Sequence, residues 1–258
     1  MLAVMNAKSK KDREKEYVDL LKVSHKCVGY ARGALPLLEQ YSCSSVHQVL
    51  FAEGLAEGLR HYMELTLRVI DQTERRVLQG ESVPASEKLV SIFEPHTDII
   101  IKDRRDILYG HKICLTMGAS NLITDCLILD GNPADATLTE QMLDRQEQVY
   151  GRYPLKVALD GGFASKANLH SAKNRGIKDV CFAKGRGLKV GDMCRSNYVF
   201  NRLRRFRAGV ESGISWLKRC FGFARCTWKS LDSFKSYVWA SIVSANLLTL
   251  ARKAKLTT

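Results

Sequence analysis

The 258-residue chain has eight cysteines, at positions 27, 43, 114, 126, 181, 194, 220 and 226, yet it contains no Cys-x-x-Cys pair. Without such a pair or a ladder of ligand spacings, a structural zinc module is excluded. Cys114, Cys126 and Cys181 sit in apolar, strand-like runs, where cysteine behaves as a small hydrophobe. All eight read as reduced thiols of a cytosolic protein. Long apolar runs are missing too. The most apolar window, Tyr237 to Ala251, is short and broken by Ser and Asn, so it does not span a bilayer. The opening MLAVMNAKSKKDREKEY lacks the apolar stretch of a signal peptide. No internal repeat or low-complexity tract occurs. Acidic residues are scarce: 27 Asp+Glu stand against 40 Lys+Arg, a formal charge of +13. That surplus predicts attraction to polyanions, nucleic acid first among them, with binding that weakens as salt rises.

What is present is globular in composition, 45% hydrophobic and 26% charged, and long enough for one large domain or two modest ones. Residues 11–80 read as helical. From Ser44, the positions Val46, Val49, Leu50, Leu55, Leu59, Met63, Leu67 and Ile70 recur at spacings of three and four, which predicts one apolar face. Ser44 or Ser45 caps that helix, and Gly80 with Pro84 stops it. Its length suits an arm, a coiled hairpin or a spacer. After Pro84 the pattern turns β-like: Leu89–Phe93, Asp98–Ile101, and a hairpin of His111–Met117 with Leu122–Leu129. A Gly131-Asn132-Pro133 turn leads to a helix over 134–150. Strand 155–159 ends at Asp160, and a helix over 166–175 and a strand over 180–183 follow. A basic helix over 201–221 and an apolar one over 231–253 close the chain. This order predicts a mixed α/β fold.

Two acids carry the chemical signal. Asp160 closes a buried strand and is followed by Gly161 and Gly162, which let the backbone turn beside the carboxylate. Carboxylates at strand ends point into ligand crevices of α/β folds, although an Asp there also simply caps a turn. Glu211 is the only acid between Met193 and Leu231, among nine bases: Arg195, Arg202, Arg204, Arg205, Arg207, Lys218, Arg219, Arg225 and Lys229. At about 100° per residue, Arg207, Glu211 and Lys218 fall within about 40° of one another on one helical face. A surface ion pair is the plain alternative. A metal-binding carboxylate beside phosphate-holding cations fits the same pattern.

The segment Val157–Phe163 (ValAlaLeuAspGlyGlyPhe), Gly176-Ile177, and Arg207-x3-Glu211-x6-Lys218 together resemble the catalytic domain of DDE insertion-sequence transposases. Tyr109-Gly110-His111-Lys112 and Gly131-Asn132-Pro133-x-Asp135 also fit that group. The resemblance covers about residues 87–253. It implies an RNase H-like mixed sheet with flanking helices over 87–258, preceded by a helical insertion over 1–86. It implies catalysis at two divalent ions, Mg²⁺ or Mn²⁺, held by three carboxylates, with in-line displacement at phosphorus during DNA cleavage and strand transfer. Asp160 matches the family's second Asp, as catalytic and metal-binding residue, and Glu211 its final Glu. Arg207 and Lys218 match cations that contact transposon-end DNA, and Arg204, Arg205 and Arg219 extend that basic surface. Arg204 stands where the family often has Tyr, and Tyr198 is not at the spacing to replace it. The implied partners are transposon-end and target DNA, with a homodimer as an option and no membrane. The implied compartment is a bacterial or archaeal cytosol or nucleoid.

One element of the family pattern is not found. Residues 1–86 hold no β-like run ending in Asp-Ser/Thr-Thr, so the first central strand and its Asp are expected to be missing. The chain reads as the C-terminal part of a transposase, inactive alone. The alternative is a non-catalytic DNA-binding remnant. Asp98, Asp103, Asp106, Asp125, Asp130 and Asp135 all follow the insertion, which argues against them as the first Asp. A missing central strand leaves two neighbours with unpaired backbone groups. The chain is expected to aggregate, or to fill the slot with Leu89–Ile101. His96, Asp98 and His111 lack the spacing of a metal cluster, and Gly185-Arg186-Gly187 lacks the Gly-Lys-Ser/Thr end of a P-loop. Trp216, Trp228 and Trp239 read as core or interface anchors.

Overall fold

A computed structural model describes residues 2–42, 44–102 and 106–257. Cys43 and Asp103 lie outside the described residues, and so does the side chain of Asp106. The chain divides into two compact units, residues 1–109 and 110–258.

The first unit is built on α1 (Leu2–Asn6), α2 (Lys10–Glu39) and α3 (Val46–Thr73), the last running into a π-helical turn, Glu74–Leu78. Each long helix starts at a serine whose hydroxyl accepts a backbone N–H three residues on: Ser9 from Asp12 at 3.0 Å, and Ser45 from Gln48 at 3.4 Å. α2 and α3 pack on each other. Their seam buries Leu21, Val28 and Ile70, with Met63 against them. The apolar stripe expected along α3 is therefore mostly exposed, and Val46, Val49, Leu50, Leu55 and Leu67 all face out. A two-helix hairpin buries only the narrow strip each helix turns to its partner.

Leu89–Phe93 forms no strand, contrary to the sequence expectation. The carboxamide of Gln72 accepts the Leu89 N–H at 2.8 Å and donates to the Leu89 carbonyl at 2.9 Å. One side chain thus satisfies the backbone groups that a neighbouring strand would take, and Leu89 is buried without a ladder. β1 (Asp98–Lys102) pairs with β2 (Asp106–Gly110) as a separate two-stranded sheet.

The second unit opens with the antiparallel hairpin of β3 (Ile113–Met117) and β4 (Ile123–Ile128), in which Ile113 faces Ile128 and Leu115 faces Cys126. A 3₁₀ turn, Asp135–Leu138, leads into α4 (Thr139–Tyr150), which Gly151 stops at φ 68°. β5 (Lys156–Leu159) is followed by a 3₁₀ turn, Gly161–Phe163, then α5 (Lys166–Asn174), β6 (Asp179–Phe182), α6 (Val190–Met193), α7 (Asn197–Cys220) and α8 (Leu231–Thr257). β5 and β6 are parallel, with Val157 beside Val180 and Leu159 beside Phe182. Mixed α/β architecture follows from this order. β6 is wholly buried, in a core with Leu143, Leu169, Ala172, Ile177 and Met193. A second core joins Ile123 and Cys126 of β4 to Leu217 of α7 and Val238, Ile242 and Ala245 of α8. On the outer edge of β4, the Asn246 carboxamide holds both backbone groups of Ile123, at 2.9 and 2.8 Å.

Among the described residues, β3 is paired only with β4 and β5 only with β6, and β1, which contains part of the segment expected to fill a central slot, pairs with β2. Three cysteines of these strands are packed as hydrophobes. Burial pushes the Cys126 thiol up to about 12, and the Cys114 and Cys181 thiols up to about 11.

Two carboxylates are buried with arginine partners. Asp125 takes a two-point contact from Arg145 at 2.7 Å each, and Asp179 takes the Arg195 backbone N–H at 3.0 Å and its guanidinium at 3.1 Å. Burial raises the Asp179 carboxyl, but the hydrogen bonds from Arg195 outweigh it and hold it below the ordinary carboxylate range. A depressed folded pKa contributes stability above the unfolded value, about 3.9, which is lost as pH falls through the folded one. Urea midpoints are therefore expected to stay level from neutral pH to about pH 5 and to drop below about pH 4. In Asp179→Asn the midpoint is lower throughout, and part of the acid drop disappears.

Candidate active site

Asp160 stands at the end of β5 in extended backbone, φ −68° and ψ 162°. Its Oδ1 accepts the Gly161 N–H at 2.6 Å, so it does cap the following 3₁₀ turn. The same oxygen accepts a hydrogen bond from Arg207 Nη1 of α7 at 3.1 Å. That one nitrogen also donates to Glu211 Oε1 at 3.0 Å. The two carboxylate oxygens can therefore be no farther apart than those two distances added together. The acid closing the strand and the solitary acid of the cationic helix meet.

Local chemistry produces this meeting. Ser196 caps the start of α7, accepting from Val199 N at 3.3 Å, and so fixes the helix's rotation. Gly213 removes the side chain where α7 approaches Met117 at the end of β3: a Cβ there would lie 2.8 Å from the Met117 methyl. Arg207, one turn before Glu211, is sunk to 21% exposure, whereas the carboxylates of Asp160 and Glu211 remain 65% and 60% exposed. The cation lies beneath and the acids face outward.

All three line a cleft of about 970 Å³ whose walls include β3 and β5. Asp135 lines it too. Its Oδ1 is 2.6 Å from Lys112 Nζ, which also donates to the Pro133 carbonyl at 2.6 Å. The Asp135 carboxylate presses on the turn after Asp160: a Cβ at Gly162 would overlap Asp135 Oδ2 and fall 3.0 Å from its Cβ. Sequence order had argued against Asp135 as the first Asp, and the fold sets its carboxylate against the turn that follows Asp160. The Gly-Asn-Pro-x-Asp turn was the only signal for it. Gly162→Ala is expected to cost about 1–3 kcal/mol, as overpacking does, measured by urea unfolding. Adding Asp135→Ala should recover most of that loss, because it deletes the atoms in the way.

The remaining sequence candidates are placed differently. Arg204 and Arg205 are exposed on α7, as are Lys218 and Arg219. Lys218 is not part of the cleft lining, whereas Arg202 and Tyr198 are. Trp216 packs edge-on to Phe221, while Trp228 and Trp239 are about half exposed. Among the described residues, no group of three or more His, Cys, Asp or Glu is arranged to hold a metal ion, and no helix is long and apolar enough to cross a membrane. The Asp160–Glu211 pair does fit a divalent ion in kind: both are hard oxygen donors meeting at one position already filled by positive charge, the environment Mg²⁺ or Mn²⁺ takes with few protein ligands and several waters.

A search of curated proteins and one of solved structures returned no match. The family model described as the transposase DDE domain matches residues 65–247, which take in β5, α7 and the carboxylate pair between them. That span exceeds two thirds of the chain, so the chain belongs to the transposase DDE domain family.

Proposed function

We propose that the chain is an insertion-sequence transposase with an RNase H-like catalytic domain, binding transposon-end DNA and holding Mg²⁺ or Mn²⁺ between Asp160 and Glu211. The observation that carries this reading is the single Arg207 nitrogen shared by the two carboxylates. A position that satisfies one guanidinium between two acids also suits a divalent cation, which when bound activates the attacking oxygen and stabilises the leaving one. Around it, Arg207 offsets one of the two negative charges of the acid pair. Arg204, Arg205, Lys218 and Arg219 supply fixed positive charge for phosphates, and positioning rather than covalent chemistry is what such a reaction asks of a protein. Asp135, engaged by Lys112, shapes the Asp160 turn and does not join the pair. With two carboxylates on the shared cation, the chain alone binds DNA and does not carry out strand transfer. The same count supports the second reading, a DNA-binding remnant that would compete with an intact relative for transposon ends.

The test is duplex-DNA binding by fluorescence anisotropy across a salt series, with a nicking assay in Mn²⁺. If Arg204, Arg205, Arg207, Lys218 and Arg219 each neutralise a phosphate, the log–log salt slope is about −4 to −5. A slope near zero would refute DNA binding. Mn²⁺-dependent nicking that vanishes in both Asp160→Ala and Glu211→Ala would refute the inactivity and the remnant reading together.

A further inference from the structure

α8 is apolar on two sides. Its inner side, with Val238, Ile242 and Ala245, is packed into the second core. Its outer side carries Ala240, Val243, Leu247 and Leu250, all exposed, with Trp239 alongside. The exposed fractions are 52% for Val243, 60% for Leu247, 49% for Leu250 and 44% for Trp239. At about 100° per residue, the two sets are centred on nearly opposite faces of the helix. The outer residues are spaced three, four and three apart, the alternation that lets a second helix follow the stripe as a seam. A helix that is apolar all round is normally covered all round.

We infer that α8 pairs antiparallel with α8 of a second copy, through a seam of Ala240, Val243, Leu247 and Leu250 from both chains. The stripe is complementary to itself. Pairing about the point midway between Val243 and Leu247 sets Leu247 against Val243 of the partner subunit, and Leu250 against Ala240 of the partner subunit. Every layer then joins a leucine to a smaller side chain, which is how facing surfaces interdigitate without voids. Reciprocal contacts of this kind are what a two-fold interface requires. Charge selects the direction. Asp232 pairs with Lys235 and leaves the start of α8 neutral, whereas Arg252, Lys253 and Lys255 crowd its end. Parallel pairing would bring two such ends together. Antiparallel pairing holds the two Lys253 levels about 24 Å apart along the axis, beyond the screening length of about 8 Å. Contact over residues 236–254 is about 27 Å long, and a helix pair of that length buries on the order of 1,000 Å² in total, the lower bound of a specific interface. The seam lies away from the core, so pairing costs the fold no contact. None of its residues is an α7 cation, so the inference goes beyond the DNA-binding reading and fails separately from it.

The test is sedimentation equilibrium of the full chain without DNA, where an interface of this size should give a monomer–dimer equilibrium between about 1 and 100 μM. Leu247→Glu should weaken association by about thirtyfold or more, as loss of a central anchor does. Leu247 is more than half exposed, so the variant should keep the parent's thermal unfolding midpoint. Oxidative cross-linking gives a second readout in nearly unaltered chains. Val243→Cys and Leu247→Cys chains, one of them size-tagged, are mixed, with the unaltered chain as the control for native thiols. The mixed pair should cross-link in preference to either variant with itself. A monomer throughout the range overturns the proposal, and the stripe then belongs to a different partner. Association unchanged in Leu247→Glu overturns it too, as does growth beyond two copies. Each variant cross-linking to itself as readily as to the other would show parallel helices, and would overturn it as well.

Discussion

Arg207→Gln is expected to move two affinities in opposite directions. In the free protein the guanidinium is the resident counter-charge of Asp160 and Glu211, and a divalent ion must displace it. Both acids are more than half exposed, so the opposing energy is screened to about 1 kcal/mol. Removing it should tighten Mn²⁺ binding by about fivefold, measured by electron paramagnetic resonance of free Mn²⁺. DNA affinity should fall in the same variant, with the salt slope smaller by about 0.9. Glutamine retains hydrogen-bonding capacity but no charge, so the split isolates charge from shape. If Mn²⁺ and DNA binding weaken together, Arg207 organises the cleft and does not compete with the metal.

Arg145→Met is expected to be the most destabilising single change proposed, at about 3–5 kcal/mol, the usual result of stripping one partner from a buried ion pair. Asp125 is only 5% exposed, and both of its oxygens are bonded to Arg145. One of them also accepts the Cys126 N–H at 2.8 Å. The Asp125 hydrogen bond in turn holds the Arg145 guanidinium above its ordinary pKa. Without the arginine, a carboxylate stays buried beside Cys126. Asp125→Leu in the same chain should restore much of the stability, because two apolar side chains replace two charges. Urea unfolding of the single and double variants measures both numbers. Additive losses would show that the pair is not coupled.

What could be read from the residues follows from how local each feature is. Strands β3 to β6 were legible because short apolar runs end at turn-forming residues such as Gly118, Asn121 and Gly176, two of which adopt positive φ in the structure: Asn121 at 61° and Gly176 at 80°. Asp160, Arg207 and Glu211 were legible because strand ends and helical faces are periodic features. Lys218 marks the limit of that arithmetic. It shares the angular face of Arg207, but eleven residues along a helix is about 16 Å, and helical angle says nothing of distance along the axis. Asp135 was hidden for a different reason: its role comes from a long-range closure onto Gly162 that no periodicity encodes. Leu89 misled because β-like residues also form non-strand segments when a side chain such as Gln72 completes their hydrogen bonds. The α3 stripe misled because periodicity shows that a helix has an apolar face without showing that anything covers it.

The Asn246 latch on Ile123 has a consequence for how copies of the protein can stack. With that residue's main-chain groups already engaged from α8, a newcomer strand cannot extend its ladder to the Ile123 end of β4. One asparagine on the last helix therefore shortens the stretch of that edge open to pairing, one of the ways proteins blunt an exposed strand.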